Sequence, residues 1–444
     1  MASVDEQLTQ LLRLNALVQR TGGLFASTAY VRPWPGEPRF STRIVELGNL
    51  NALRSSGAII EGSTPQSPMI GAGTHPVDPQ AFSLALAEGL ERYCSCTYHA
   101  RQLVWASPNE LGADALNLHE IPQCSTAELN DPKCPLQAPQ LDKPIRWVRG
   151  TCLNDGRMVY LPAIMVFLDI PYASSAERFW FPISTGCALH ASYEQAVTNA
   201  LLEVVERDAL SIVWLQKLAL PRLQIDSVSG FLAECWTRCE KAAAALDYLF
   251  FDATTDLGLS TVLGLQVTVH DPDVSTLVSC ATHLDPPEAL AKVLRDMGAI
   301  RHAFRTKRRV PSEPAECNHL FDGAAYMARF ECRRAFDFLT ETKAARRLSG
   351  IANSSTGDPM VDLALILKRL ADARCDSYAV DISTDEAIRL GFRAVRVLVP
   401  RLQPLSFHYR ARFLGNPRLF EAPVKMGYAA WSESGLNPWP HPFA

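Results

Sequence analysis

Two segments of this chain share the pattern Ala-Leu-x-Glu-x-φ-Glu-Arg, in which φ is an apolar residue. The first copy runs from Ala85 to Arg92 and the second from Ala200 to Arg207. Mg²⁺ takes hard oxygen ligands, usually a few carboxylates together with substrate phosphates, and the planar fork of arginine matches phosphate oxygens. The repeat therefore predicts a site for magnesium and a phosphate-bearing ligand.

Both copies lie in apolar helical patterns, where residues three or four apart share one face. A single E-x-x-E-R string also fits an ordinary solvated helix face, since Glu and Arg are good helix formers. Two copies flanked by leucine and valine favour the binding interpretation, because buried charges are seldom tolerated unpaired. The predicted metal ligands are Glu88, Glu91, Glu203 and Glu206, and the predicted phosphate-binding residues are Arg92 and Arg207.

Start signals mark the helices that carry these residues. Asp78, which is followed by proline, reads as an N-cap, and Ser192 opens a capping box. A third helix is predicted to begin at Asp285 and to carry Asp296 and Arg301. These two residues would add one carboxylate and one guanidinium to the same site, although a surface pair on an amphipathic helix fits the spacing equally well.

The composition is that of a soluble globular chain. The 444 residues are 48% apolar and 20% charged, with a formal net charge of −4, which argues against a nucleic-acid-binding or membrane protein. The amino end lacks a signal pattern and no apolar run is long enough to span a bilayer, so we predict a cytoplasmic protein. The twelve cysteines are scattered without paired C-x-x-C sets, which predicts neither a zinc site nor a disulfide framework.

The second repeat belongs to a longer motif. Residues 184–209 read STGCALHASYEQAVTNALLEVVERDA, which resembles the S-T-[NG]-G-x-A-x-[GH] loop and E-x-x-E-R-D-A helix of the YcaO family. These are ATP-dependent enzymes that activate backbone amides, and they include the cyclodehydratases of azole-containing ribosomal peptides. The first repeat resembles the family's first ATP and magnesium motif, preceded by a glycine loop at residues 71–73. Further similarity lies at residues 145–150, 154–156, 161–163 and 399–404.

The resemblance implies a fold and a site. The expected fold is α/β (α+β) of the YcaO type, with mixed sheets and helices around a central site for ATP and Mg²⁺. We expect residues 1–65 to form an amino-terminal segment and residues 66–444 to form the YcaO domain. The implied nucleotide-binding residues are Arg92, Ser184, Thr185, Arg207 and Arg301, and the implied metal ligands are Glu88, Glu91, Glu203, Glu206 and Asp296.

The carboxyl end, residues 437–444, reads NPWPHPFA. It resembles the family's terminal P-x-P-x-P, which in the cyclodehydratases reaches back into the active site and is needed for activity. Alternating prolines make a stiff extended tail that loses little entropy on docking. By this resemblance Pro438, Pro440 and Pro442 contribute to catalysis, whereas a free polyproline tail that binds an SH3-like partner is the alternative.

The resemblance also implies a reaction and partners. A Cys, Ser or Thr side chain of a ribosomal precursor peptide attacks the preceding amide carbonyl, ATP phosphorylates the oxyanion, and phosphate leaves to give an azoline. A leader-binding partner, ubiquitin-activating-enzyme-like or of another kind, is expected as a separate protein, and a flavin-dependent azoline dehydrogenase could act afterwards. With a TfuA-like partner the same site would make thioamides, and acting alone it could form amidines.

Two departures from the family pattern keep a non-catalytic YcaO-like scaffold open. Ala72 stands where the family commonly has a basic residue, and Ala299 stands where the third helix commonly has glutamine. The basic run at residues 305–309 could hold a precursor peptide or could complement the dipole at a helix end.

Overall fold

The computed structural model describes residues 13–19, 21–47, 70–242, 245–305 and 310–443. Residues 306–309 of the basic run and the terminal Ala444 lie outside this part. Long helices pack between three β-sheets, so the predicted mixed α/β fold is confirmed. Within the described residues no helix is long and apolar enough to cross a membrane, and all twelve cysteines are free thiols.

Three sheets provide the framework. The first is antiparallel, in the order β1 (Phe25–Val31), β2 (Ser41–Leu47), β3 (Ile70–His75). The central sheet has the order β4 (Val104–Ala106), β5 (Ile145–Cys152), β13 (Tyr378–Asp381), β14 (Arg393–Leu398), β7 (Cys187–His190), and β6 (Met158–Pro162) also pairs with β5. The third has the order β11 (Thr276–Thr282), β10 (Thr261–Val267), β9 (Asp247–Asp252), β8 (Arg222–Gln224), β12 (Ala345–Arg347).

The helices connect and cover these sheets. The described α-helices are α1 (Asp78–Cys96), α2 (Pro108–Leu111), α3 (Thr126–Asn130), α4 (Ala163–Val166), α5 (Tyr193–Gln216), α6 (Gly230–Glu240), α7 (Pro286–Arg305), α8 (Leu320–Met327), α9 (Asp337–Thr340), α10 (Pro359–Asp372), α11 (Asp385–Arg389) and α12 (Arg418–Lys425). Strands β1 and β2 join β3 in one sheet, so the predicted boundary between residues 1–65 and 66–444 falls within the chain that builds it. That boundary stays a prediction.

The three longest helices are those predicted to carry the site. Helix α1 packs on β2 and β3 and reaches β7, while α7 packs on β10 and β11. Helix α5 lies between β7 and β14 on one side and β11 on the other, which explains why it is apolar almost all round. The carboxylates and arginines of α5 therefore sit between two sheets rather than at the surface.

Of three local predictions around these helices, one is confirmed and two need correction. The confirmed one is Ser192, which is the N-cap of α5 and whose Oγ accepts the Gln195 N–H at 3.2 Å. Asp78, in contrast, does not cap α1, because its carboxylate pairs with the Arg43 guanidinium at 2.6 Å. The predicted glycine loop at residues 71–73 is part of strand β3. A Cβ on Gly73 would lie 2.0 Å from the Ala81 carbonyl oxygen, so glycine lets β3 approach α1 closely.

Candidate functional site

The first glutamate of each repeat is held in the same way. The Glu88 carboxylate accepts hydrogen bonds from the Arg92 guanidinium at 3.0 Å and from the Ala72 backbone N–H at 2.9 Å. In the second repeat Glu203 accepts from the Arg207 guanidinium at 3.1 Å and from a backbone N–H at 3.0 Å, here that of Gly186. The repeated sequence thus builds a repeated arrangement, one copy on α1 and one on α5.

The second glutamate of the α5 repeat is fully engaged. Glu206 is 1% exposed, and its Oε1 accepts from Arg207 Nη1 at 2.7 Å. Its Oε2 accepts from the Lys292 ammonium at 2.8 Å and from the Thr282 backbone N–H at 3.3 Å. These donors come from α7 and from the end of β11, so Glu206 joins three elements. Glu206 accepts one more hydrogen bond than Glu88 or Glu203 does, so it offers less to a magnesium ion.

The second glutamate of the α1 repeat is in the opposite state. Within the described residues the Glu91 carboxylate accepts no hydrogen bond. The pKa of Glu91 is well above its ordinary value, chiefly because of burial. The charges of Glu203 and Glu88 add to this shift, whereas those of Arg92 and Arg396 act against it. A cation placed among these carboxylates would relieve that repulsion and favour ionised Glu91.

Lys292 was missed by the sequence analysis. Its ammonium binds Glu206, and its pKa is raised although burial lowers it, because Glu206 and Asp296 both favour the charged form. Asp296 lies one helical turn after Lys292 and accepts from Arg295 Nε at 3.2 Å. The carboxylate predicted on the third helix is therefore brought near Glu206, with a lysine between them. The i,i+4 spacing of Lys292 and Asp296 was the available signal.

Arg301 lies in a separate buried network. Its side chain is 4% exposed, and its guanidinium donates to Glu37 at 3.1 Å and to Asp271 at 2.9 Å. Nη1 donates in addition to Gln266 Oε1 and to the Val274 carbonyl oxygen. Because each nitrogen already has an acceptor, this arrangement does not favour the predicted phosphate-binding role of Arg301.

The loop before β7 brings Ser184 and Thr185 beside α5. Neither hydroxyl forms a hydrogen bond within the described residues, and Thr185 lines a cavity together with Arg207. Gly186 has a φ of +85°, and a Cβ there would lie 2.3 Å from the Val397 carbonyl oxygen. Glycine is therefore required for the turn that directs its N–H to Glu203.

The carboxyl-terminal tail, residues 437–443, is docked against the α5 repeat. Pro440 and Pro442 are buried, whereas Pro438 is exposed and its carbonyl oxygen accepts from the Tyr409 hydroxyl at 2.9 Å. Further contacts anchor the tail: Asn437 N–H to Leu215 O at 2.8 Å, Asn437 Nδ2 to Trp214 O at 3.1 Å, and Arg412 Nη1 to Asn437 O at 2.8 Å.

The end of the tail reaches a predicted site residue. The Arg207 guanidinium lies over the Phe443 ring, 4.2 Å from its centroid, an attractive cation–π geometry. His441 is also buried, and its pKa is lowered to about 3 because burial disfavours the charged form and Arg207 repels it. No role was predicted from the sequence for His441 or Phe443.

These residues fit ATP and Mg²⁺ together rather than a metal held by protein alone. Among the residues that the structure describes, no three His, Cys, Asp or Glu side chains are grouped to chelate an ion. Magnesium commonly binds through one or two carboxylates plus substrate phosphates. Glu88, Glu91 and Glu203 offer such partial ligation, and Arg92 and Arg207 lie beside them for phosphate oxygens.

The mixed α/β fold and the paired Glu–Arg helices suit a protein that binds a phosphate-bearing ligand, and sequence comparison identifies its family. Residues 66–403 match the YcaO cyclodehydratase family, which is described as binding ATP and Mg²⁺. The chain belongs to the YcaO family. ATP and Mg²⁺, the predicted cofactors, are those of this family.

The chain is also similar to individual proteins. An uncharacterized protein of Methanothermobacter thermautotrophicus is 24% identical over 377 residues, which are 82% of this chain and 90% of that protein. A heterocyclase solved in complex with substrate and cofactor has a TM-score of 0.80 at 19% identity, and the match covers 98% of this chain and 57% of that one. YcaO from Methanopyrus kandleri, bound with AMPPCP and Mg²⁺, has a TM-score of 0.63 at 18% identity, covering 90% and 92%. At these identities the likeness to solved structures establishes the fold.

Proposed function

We propose that this chain is an ATP-dependent cyclodehydratase that converts Cys, Ser or Thr residues of a ribosomal precursor peptide into thiazoline or oxazoline rings. The side chain attacks the preceding amide carbonyl and gives up its proton. The carbonyl oxygen is then phosphorylated and leaves as phosphate, while the amide nitrogen loses its proton and the ring C=N bond forms. Each ring therefore removes the elements of one water and converts one ATP to ADP and phosphate.

One observation carries the proposal. Two copies of the same glutamate–arginine arrangement stand on α1 and α5. The charges of Glu88 and Glu203 both raise the pKa of Glu91, so the two helices interact electrostatically. The pKa of Glu91 stays raised although Arg92 and Arg396 act against the shift. A chain that only scaffolds has no chemical reason to keep a buried carboxylate in that state. A site that receives a cation and phosphate oxygens has such a reason.

Bound ATP with magnesium would supply the phosphoryl group and screen its charge. Glu88 and Glu203 are each already fixed by a guanidinium and a backbone N–H, so they would bind an ion with little further loss of side-chain freedom. Phosphoryl transfer asks a protein mainly for such positioning and for charge stabilisation. Phe443 covers one face of Arg207 and so excludes water from it.

Calorimetric titration with ATP, with and without Mg²⁺, tests the nucleotide site. We expect magnesium-dependent binding in the wild type, loss of that binding in Glu91→Gln, and no change in Glu240→Gln, which removes an exposed carboxylate on α6. Turnover is tested with precursor peptide and a leader-binding partner, by the loss of one water mass per ring. Ring formation by Glu91→Gln at the wild-type rate would refute this use of the site.

The product also distinguishes the remaining candidates. A TfuA-like partner with a sulfide source would give thioamides, and the chain acting alone could give amidines; both differ in mass from an azoline.

The scaffold alternative rests on Ala72 and Ala299. Ala72, however, serves Glu88 through its backbone N–H, which its side chain does not alter.

We further propose that a separate leader-binding protein, resembling ubiquitin-activating enzymes, presents the precursor peptide. A flavin-dependent dehydrogenase would then oxidise azolines to azoles. Both proposals derive from the family resemblance. Reconstitution tests them: ring formation should need the leader-binding protein, and only addition of the dehydrogenase should remove two further hydrogens per ring.

A further inference from the structure

The outer edge of strand β1 is open. β1 lies at the end of the first sheet, and among the described residues no strand pairs with its outer side. Only its first residue is covered there, because the Phe25 N–H donates to the Leu17 carbonyl oxygen at 3.1 Å. Every residue from Ala26 to Tyr30 is exposed, and Tyr30 is 46% exposed. β1 therefore presents unpaired backbone groups along a strand that is exposed on both faces.

The other strands at sheet ends are protected. β4 and β12 are each three residues long, and β12 carries two arginines. All seven residues of β11 are buried, and the four residues of β7 pack against α1 and α5. On β3 the Ala72 N–H is bound by Glu88. β1, in contrast, has seven residues without a charge, a proline or a glycine, and its threonine, tyrosine and valine favour strands. Such an edge is a template for one more strand.

The sequence of β1 suits a second copy of itself. In a twofold arrangement two β1 strands run antiparallel, and the uncovered residues 27–31 pair about Ala29. Thr28 then lies opposite Tyr30 of the second copy, and an aromatic residue opposite a β-branched one is a stabilising cross-strand pair. Ala29 lies opposite its own copy, and within each chain it also pairs with Ile44. An apolar row thus crosses the axis, and no like charges meet on it.

We propose that β1 is the interface of a homodimer, in which the β1 strands of two copies pair antiparallel and join their first sheets into one sheet of six strands. A twofold interface of this kind uses the same surface on both copies and is closed. The remaining edge of the joined sheet is β3, whose Ala72 N–H already binds Glu88, so association ends at two copies. The proposal is independent of the proposed function, because it needs neither nucleotide nor peptide.

Sedimentation of the purified full-length chain over a range of concentrations tests the dimer. We expect reversible association to twice the mass of one chain. Ala29→Lys would set two ammonium groups against each other at the axis, and like charges directly opposite are destabilising. Because residue 29 is exposed, this variant should remain folded but sediment as a monomer. Ala345→Lys makes the same change on the exposed strand β12 and should associate like wild type.

A cross-link tests the register. Opposed residues of an antiparallel pair have Cα atoms close enough for a disulfide. Oxidised glutathione should therefore join two copies of Ala29→Cys through residue 29, and mass spectrometry of the digested protein identifies the linked peptides. Thr28→Cys faces Tyr30 of the second copy and should not link to itself. The double variant Thr28→Cys with Tyr30→Cys should link residue 28 to residue 30.

Three results would overturn the homodimer. One is a wild type that stays monomeric at every concentration, and another is an Ala29→Lys variant that associates like wild type. The third is a dimer in which Ala29→Cys does not link the copies, since the interface would then lie elsewhere. If Ala29→Lys does not fold, the cross-link decides.

Hydrogen exchange of β1 separates a second copy from another protein. Protection of β1 that increases with the concentration of this chain alone supports the homodimer. Protection that appears only when a leader-binding protein is added would refute it and assign the edge to that protein. Neither result involves ring formation, so failure of the homodimer leaves the proposed function untouched, and failure of ring formation leaves the homodimer untouched.

Discussion

The carboxyl-terminal tail should loosen in mild acid because of His441. This side chain is 6% exposed, and its Nδ1 accepts the Phe443 N–H at 3.3 Å. Its Nε2 has no hydrogen-bond partner within the described residues. Burial, with a further contribution from Arg207, lowers its pKa to about 3. Docking of the tail therefore requires a neutral imidazole.

The size of the effect follows from proton linkage. An undocked tail would return His441 to an ordinary pKa of about 6.5. Since the docked pKa is lower, the undocked tail binds more protons, so docking weakens as the pH falls from about 6.5 towards 3. Between pH 7 and pH 5 the loss amounts to about 2 kcal/mol, which raises the undocked population roughly 25-fold.

Hydrogen exchange read by mass spectrometry can measure this opening. The Asn437 N–H, donated to the Leu215 carbonyl oxygen at 2.8 Å, reports docking of the tail. Exchange of the fragment that contains it is compared at pH 7 and pH 5 after correction for the intrinsic rate. His441→Phe keeps a buried ring and removes the titration, so its exchange should respond far less to pH. His119→Phe alters an exposed histidine and should behave like wild type.

The reasoning would be refuted by a corrected exchange rate that is the same at both pH values in the wild type. It would equally fail if His441→Phe kept the full acid response, since another group would then be responsible. Loss of ring formation over the same pH range, absent in His441→Phe, would connect docking of the tail to activity.

Three further changes test other parts of the site. Lys292→Met removes the charged donor from Glu206 Oε2, which then keeps only the Thr282 N–H at 3.3 Å. We therefore expect an additional Mn²⁺ per chain in the presence of ATP, counted by electron paramagnetic resonance; an unchanged count would contradict this. Gly186→Ala places a Cβ at a positive φ and against the Val397 carbonyl oxygen, and should lower the free energy of unfolding by roughly 2 kcal/mol or more in urea titration. Arg418→Met leaves the buried Asp208 without its cation, while Asp256 keeps Lys425 at 3.8 Å. The same titration should show a loss of about 3–5 kcal/mol; a loss under 1 kcal/mol in either variant would contradict the assigned contacts.

Sequence alone determined the local geometry of this protein. The i,i+4 pairs Glu88–Arg92 and Glu203–Arg207 follow from helical spacing, and both are present. The positions of the three long helices and the Ser192 cap also follow from periodicity and start signals. The YcaO assignment, and with it ATP and Mg²⁺, came from motifs that are contiguous in the chain. Each of these depends on residues a few positions apart.

Tertiary structure decided which of these charges are open to a ligand. Lys292 neutralises Glu206 from 86 residues away, and Phe443 covers Arg207 from the far end of the chain. Glu37, 264 residues away in sequence, holds Arg301 in a separate buried network. Helical spacing carries no information about such partners, because they meet only when the three sheets and their helices pack. Packing then sets the electrostatic state: Glu206 accepts three hydrogen bonds, whereas burial raises the pKa of Glu91.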